Sequence, residues 1–173
     1  MSPEKITVTL LDEAATLLFG GNIAPILRAR QTGPNAAGLV VFLHGDLGAG
    51  KTTMVRGILR GLGFTGRVKS PTYTLVELYA VSRLNLYHFD FYRLTDPDEW
   101  HEAGFRDLMN AEAVCLIEWP EKARGAGVSL PIADLEIFLM ATPTDQRQLT
   151  LTANTPAGTA ICDQLSKLPA SPP

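Results

Sequence analysis

The chain has 173 residues, of which 46% are hydrophobic and 19% charged, with a formal net charge of −3. This is ordinary globular composition: it excludes a disordered chain, and no apolar run approaches membrane-spanning length. The slight acidity gives no global attraction to nucleic acid, so contact with RNA is expected only through a local patch or a partner protein, and binding to DNA is not expected.

Met1-Ser2-Pro3-Glu4-Lys5 lacks the basic stretch and apolar core of a secretory signal, which predicts a cytoplasmic location. Ile6 to Leu10 alternates like a short strand, and Asp12 offers an N-cap for a helix running from about Glu13 toward Arg30. Gly20-Gly21 and Pro25 interrupt that helix, which predicts a kink or two shorter helices. Thr32 to Gly38 reads as a loop into the apolar strand Leu39 to Leu43.

Immediately after that strand, Gly45-Asp46-Leu47-Gly48-Ala49-Gly50-Lys51-Thr52 fits the phosphate-loop pattern G-x-x-x-x-G-K-[ST], and Thr53 to Leu62 supplies the helix the pattern requires. A merely structural Gly-rich turn has no need of both flanks. A phosphate site does, because successive backbone N–H groups and a helix N-terminus must converge on phosphate oxygens. Gly61 and Gly63 end the helix. Two β-rich runs follow, Thr74 to Tyr79 and Leu84 to Phe91, with a link short enough for a hairpin. Asp96 can cap a helix that Pro97 opens and Gly104 ends. Ala113 to Ile117 is a buried strand terminating in Glu118. Leu135 to Ala141 and Gln148 to Thr152 are two more strands, and Thr159 to Leu168 is a last helix. The tail 169–173 is expected to be disordered.

Strands and helices interleave without a linker or repeat. The fold expected is α/β: one P-loop NTPase-like domain over residues 1–168, with a mixed, mainly parallel central sheet flanked by helices and β-hairpin additions. Cys115 and Cys162 have no C-x-x-C neighbour and read as buried, reduced thiols. His44, His88 and His101 are not spaced as metal ligands on one element, and no zinc is assigned to them.

Four segments carry candidate chemistry. In the loop Gly45 to Thr53, Lys51 is placed to reach the β- and γ-phosphates and Thr52 to offer its hydroxyl to Mg²⁺, while Gly48 and Gly50 admit the backbone where a Cβ would collide. Glu118 occupies the end of an apolar strand, where a carboxylate can hold Mg²⁺ or stand as a surface acid. Asp90 shares a strand face with His88 and Tyr92. It can position an attacking water, support the metal shell, or rest as a carboxylate satisfied by Arg93 or a backbone donor. Ser70-Pro71-Thr72-Tyr73-Thr74 follows the P-loop helix, where GTPases keep the segment that senses the γ-phosphate; a plain turn is the other reading.

Taken together, Gly45 to Thr53, Val68 to Glu77, Tyr87 to Leu94 and Glu118-Trp119-Pro120 resemble, in order and spacing, the bacterial TsaE family, also called YjeE, over about residues 5 to 155. The resemblance implies an ATPase required for threonylcarbamoyl modification (t6A) of adenosine 37 in tRNAs that read codons beginning with A. It implies ATP and Mg²⁺ as cofactors, with Thr52 and Glu118 at the metal and an acid near the start of the first helix, Glu13, lining the nucleotide pocket. It implies TsaD and TsaB as partners, with tRNA met only through their complex, and hydrolysis that resets that complex between turnovers. Lys51, Asp90 and Glu118 are the catalytic candidates. A small-molecule P-loop kinase and a non-hydrolysing nucleotide-dependent module are the alternatives from other classes.

Overall fold

The computed structural model describes residues 5–32, 37–81, 83–110, 112–125 and 127–168. In chain order the elements are β1 (Lys5–Leu10), α1 (Glu13–Thr32), β2 (Leu39–His44), α2 (Lys51–Gly61), β3 (Val76–Val81), β4 (Leu84–Asp90), α3 (Asp98–Glu102), β5 (Ala113–Glu118), β6 (Leu135–Ala141), β7 (Arg147–Ala153) and α4 (Pro156–Ser166). They build a seven-stranded sheet in the order β1-β7-β6-β2-β5-β4-β3. Direct parallel pairing aligns β2 with β5 and β6, and β5 with β4; two antiparallel steps across β7 bring β1 into the same direction. Five strands therefore run one way and β3 and β7 run back. This is the mixed, mainly parallel α/β sheet the sequence predicts.

The strands at the centre are buried because both faces are covered. All six residues of β5 are buried, as expected of a parallel strand whose sequence is one apolar run up to its final acid. Alternate residues feed two cores. Val114 and Leu116 join Leu86 and the inward faces of α1, α2 and α4 in the larger one. Cys115 and Ile117 join Phe89, Phe91 and Trp100 of α3 in the smaller. Both cysteines are buried, and burial pushes the Cys115 thiol up to about 12.

Several boundaries differ from expectation, each for a local reason. The first helix is continuous from Glu13 to Thr32, not two shorter helices. Gly20 of α1 and Gly57 of α2 serve close approach of the two helices: a Cβ on Gly20 would stand 2.6 Å from the Met54 carbonyl oxygen, and one on Gly57 would stand 2.4 Å from that of Leu17. Asp12 does cap α1, its Oδ1 accepting from the Ala15 amide at 2.8 Å. β3 begins at Val76 rather than Thr74, because the Leu75 amide first closes a turn onto the Pro71 carbonyl at 2.7 Å and Leu75 adopts φ 65°. The last helix starts at Pro156, with the Thr155 hydroxyl accepting from Gly158, three residues before the expected Thr159. The expected tail 169–173, the middle of the loop at 33–36 and the N-terminal residues 1–4 lie outside the described residues. No helix among the described residues is long and apolar enough to cross a membrane.

The α1–α2 contact yields a paired expectation. Gly57→Ala drives a methyl into the Leu17 carbonyl and should destabilise the protein by about 1–3 kcal/mol. A Cβ on Gly21 has its nearest neighbour at 3.9 Å. Gly21→Ala should therefore be neutral or gain up to about 1 kcal/mol of helix propensity. Urea unfolding of the two variants beside the parent measures the difference; equal effects would contradict the packing role of Gly57.

Candidate functional site

Three adjacent parallel strands end together, and their ends build one site. In the sheet register Leu43 of β2 stands opposite Glu118 of β5, and Glu118 stands opposite Asp90 of β4. The chain leaving β2 makes the turn Gly45 to Gly50 and enters α2, whose N-terminus has no capping side chain and no acidic residue in its first turn. Such a terminus presents unpaired N–H groups and the positive end of the helix dipole to an anion. Gly48 and Gly50 have φ of 81° and 105°. A Cβ at either would meet no protein atom closer than 3.7 Å. Within the protein these glycines answer the turn's left-handed backbone rather than a collision, while the space beside them stays open.

A cleft of about 330 Å³ lies over this junction, lined by Glu13, Leu47, Gly48, Gly50, Lys51, Thr52, Thr53, Ser70, Thr72, Asp90, Tyr92, Glu118, Trp119 and Arg147. Most of the predicted site residues meet here. Gly45, Asp46 and Ala49 form the loop behind it. Glu13 sits at the rim, its Oε1 3.7 Å from Arg56 Nη1. Pro71, Tyr73 and Thr74 do not line the cleft. Pro71 is buried and Thr74 exposed, and Tyr73 carries the Arg93 guanidinium 4.3 Å from its ring centre.

Lys51 is 4% exposed, and its Nζ donates to the carbonyls of Gly45 at 2.5 Å and Asp46 at 2.9 Å. Burial pulls its pKa below the ordinary lysine value, against the opposing pull of Glu118, Asp90, Glu121 and Asp46. Trp119 covers it, with Nζ 4.1 Å from the indole ring centre. Trp119 holds this position in the left-handed backbone region, φ 57°, a conformation that costs a bulky residue about 1–3 kcal/mol and concentrates at functional sites.

Two carboxylates face the ammonium, each with its own set of donors. Glu118 Oε1 accepts from the Thr52 hydroxyl at 2.9 Å and from His88 Nε2 at 2.8 Å. Asp90 Oδ2 accepts from the Ser70 hydroxyl and, at 3.4 Å, from that of Thr72, while its Oδ1 accepts from the Tyr92 amide at 2.8 Å. Of the alternatives for Asp90, the Arg93 pairing is replaced by the stacking on Tyr73; hydroxyls of the Ser70 loop and one backbone donor satisfy it.

The donor set suits a hard divalent cation. Thr52 and Glu118 offer a hydroxyl and a carboxylate in contact, and both hydrogen bonds to Glu118 fall on the same oxygen. No group of three or more His, Cys, Asp and Glu side chains among the described residues converges as a metal cage. A hydroxyl and a carboxylate are oxygen donors of the kind a hard cation such as Mg²⁺ takes.

Two contacts at the site are not legible in the sequence. Arg147 reaches the cleft from β7, near the chain's far end, and its Nε lies 3.7 Å from where a Cβ on Gly50 would sit. His88 is the other: the sequence assigns it no zinc and sets it on the face of Asp90 and Tyr92, and the structure adds its contact with Glu118, thirty positions along the chain. Period-2 alternation, which places His88 beside Asp90 on one face, was the available signal.

Known proteins resemble the chain over most of its length. Residues 10–149 match the family model described as "Threonylcarbamoyl adenosine biosynthesis protein TsaE". The tRNA threonylcarbamoyladenosine biosynthesis protein TsaE of Haemophilus influenzae is 45% identical over 163 residues, covering 94% of this chain and 99% of its own. That of Bacillus subtilis is 39% identical over 130 residues, covering 75% and 79%. The crystal structure of Bacillus subtilis YdiB aligns with a TM-score of 0.70 at 28% identity, covering 96% of this chain and 97% of that one.

The Lys51–Trp119 contact generates an optical expectation. An anion that draws the ammonium off the indole changes the surroundings of Trp119, whereas Trp100 is fully buried in the smaller core. Nucleotide addition should change tryptophan emission in the parent and leave Trp119→Phe unchanged. A response that survives in Trp119→Phe would place the anion elsewhere.

Proposed function

The chain belongs to the TsaE family of threonylcarbamoyl adenosine biosynthesis proteins, and from that premise we propose that it binds and hydrolyses ATP in the service of t6A formation at adenosine 37 of tRNA. It acts in the cytoplasm with TsaD and TsaB, meets tRNA only through their complex, and uses hydrolysis to reset that complex between turnovers. The observation that carries the reading is the convergence, in one cleft, of an uncapped helix N-terminus, a buried ammonium, a hydroxyl–carboxylate pair and a second carboxylate.

Each group has a role that its surroundings support. The amides of Gly48 to Thr53 cradle the phosphates, and Lys51 exchanges its two loop carbonyls for phosphate oxygens. Glu13, on the rim, lies at the nucleoside end. Mg²⁺, held by Thr52 and Glu118, would offset charge on the phosphate oxygens. Asp90 is aimed by Ser70 and Thr72 and accepts the proton of, or orients, the attacking water. Because the same carboxylate is gripped by loop hydroxyls, arrangement of the Ser70–Thr74 segment and occupancy of the γ-phosphate position are coupled. The coupling reaches the partner through that segment. Thr74 stands apart from this contact, so Ser70 and Thr72 carry it.

Three measurements test the proposal. Lys51→Ala should remain folded and lose roughly ten- to a hundredfold in ATP affinity, the value of charged hydrogen bonds of about 1.5–3 kcal/mol, as read by calorimetry. ATP turnover should rise when TsaD and TsaB are added and should not require a small-molecule phosphate acceptor. Acceptor-dependent ADP production without the partners would favour a kinase instead, and tight binding with no turnover in the full mixture would favour a regulatory module. Finally, the Ser70→Ala/Thr72→Ala double variant should keep ATP affinity within about threefold yet bind TsaD–TsaB equally with ATP, ADP or no nucleotide, since a segment indifferent to nucleotide state shifts nothing.

A further inference from the structure

His88 is 0% exposed on β4, where the alternation Leu84, Leu86, His88 points one row of side chains into the larger core. An aliphatic residue would satisfy that row. An imidazole there has two ring nitrogens to desolvate, and only one is answered: Nε2 lies 2.8 Å from Glu118 Oε1, while Nδ1 is buried with no hydrogen-bond partner among the described residues. As packing alone, His88 is inferior to leucine at this position, because a buried polar atom without a partner forfeits the hydrogen bonds it makes with water in the unfolded chain. What the imidazole supplies in return is the bond to Glu118.

Resting on the reading of Thr52 and Glu118 as the Mg²⁺ ligands, we propose that His88 is a positioning residue: its Nε2–H fixes the Glu118 carboxylate so that the other oxygen faces the cation site. A carboxylate only accepts, so Nε2 is the protonated nitrogen in this contact. The second donor to the same oxygen, the Thr52 hydroxyl, rotates freely about its C–O bond and stands at the first turn of a helix. The His88 ring is fully buried on β4, a strand flanked by β3 and β5, with Glu77 and Leu116 as its register partners. It is the rigid one of the two anchors, and it leaves one carboxylate oxygen for the metal. Side chains that orient a metal-binding carboxylate in this way typically contribute 10- to 100-fold to metal affinity.

The test compares the full-length parent with His88→Met, which fills the core without a donor, and His88→Gln, whose amide can present N–H near the Nε2 position. ATP affinity is measured by calorimetry in chelator and then across a Mg²⁺ titration, with thermal unfolding confirming each fold. Affinity in chelator should stay within about twofold for both variants. The Mg²⁺ concentration giving half the enhancement should rise at least about tenfold in His88→Met and stay within about threefold of the parent in His88→Gln. A folded His88→Met with the parent's midpoint overturns the inference while sparing the metal reading, and so does a His88→Gln as impaired as His88→Met. If the parent itself shows no Mg²⁺ dependence, the metal reading fails first and the role of His88 falls with it. Should His88→Met not fold, His88→Asn, whose shorter amide cannot reach Glu118, must show the raised midpoint or the inference is wrong.

Discussion

The carboxylate of Glu118 is the joint on which the cleft turns. It is 3% exposed at the end of a strand that is otherwise apolar, a position where an unpaired charge would be prohibitive. It is tolerated because α2, β4 and the P-loop each bring it something: the Thr52 hydroxyl, the His88 N–H and the charge of Lys51. Thr52 and Lys51 stand at the start of α2, and His88 stands on β4. The carboxylate therefore registers the helix start against two strands, and displacing any of the three would leave charge buried without compensation.

That registration requires α2 to sit close, and the closeness comes from glycine. Gly20 and Gly57 let the backbones of α1 and α2 approach within distances no Cβ would permit. The apolar rows Ile23, Leu27 of α1 and Met54, Ile58 of α2 then share one core with β2 and β5. Core packing thus fixes the axis of α2, and the axis fixes where its open N-terminus points. The chemistry at the strand ends depends on a helix–helix contact made over the face of the sheet.

Features whose cause lies within a few residues were legible in the sequence, and features whose cause lies across the sheet were not. The P-loop, the Asp12 cap and the strand ending in Glu118 are local patterns, and each stands where the pattern puts it. Gly20-Gly21 and Pro25 read as breaks because propensity counts a glycine's cost without seeing the partner backbone some thirty-five residues away that makes the glycine necessary. Arg93 is one alternative partner for Asp90 on sequence nearness alone, but the reversal of the chain after β4 carries it out to Tyr73. His88 kept its role hidden for the same reason: nothing in the row Tyr87 to Phe91 says that β5 will present an acid beside it.

The two acids differ in what holds them, and the difference separates a fixed part of the site from a movable one. Glu118 is gripped by a helix residue and a core imidazole, both on regular elements. Asp90 is gripped by Ser70 and Thr72, side chains of an irregular segment between α2 and β3, and by the Tyr92 amide just beyond its own strand. Loops of this kind lie at the low end of local stability, since few buried contacts resist their rearrangement. Lys51 is similarly provisional, because the carbonyls of Gly45 and Asp46 that it now engages are acceptors a phosphate oxygen can replace. A ligand that competes for Lys51 and Asp90 changes partners on the loop side of the cleft while leaving the Thr52 and His88 hydrogen bonds to Glu118 in place. The arrangement has the asymmetry a nucleotide-dependent signal requires: one rigid wall against which binding is measured, and one wall whose hydrogen bonds depend on what is bound.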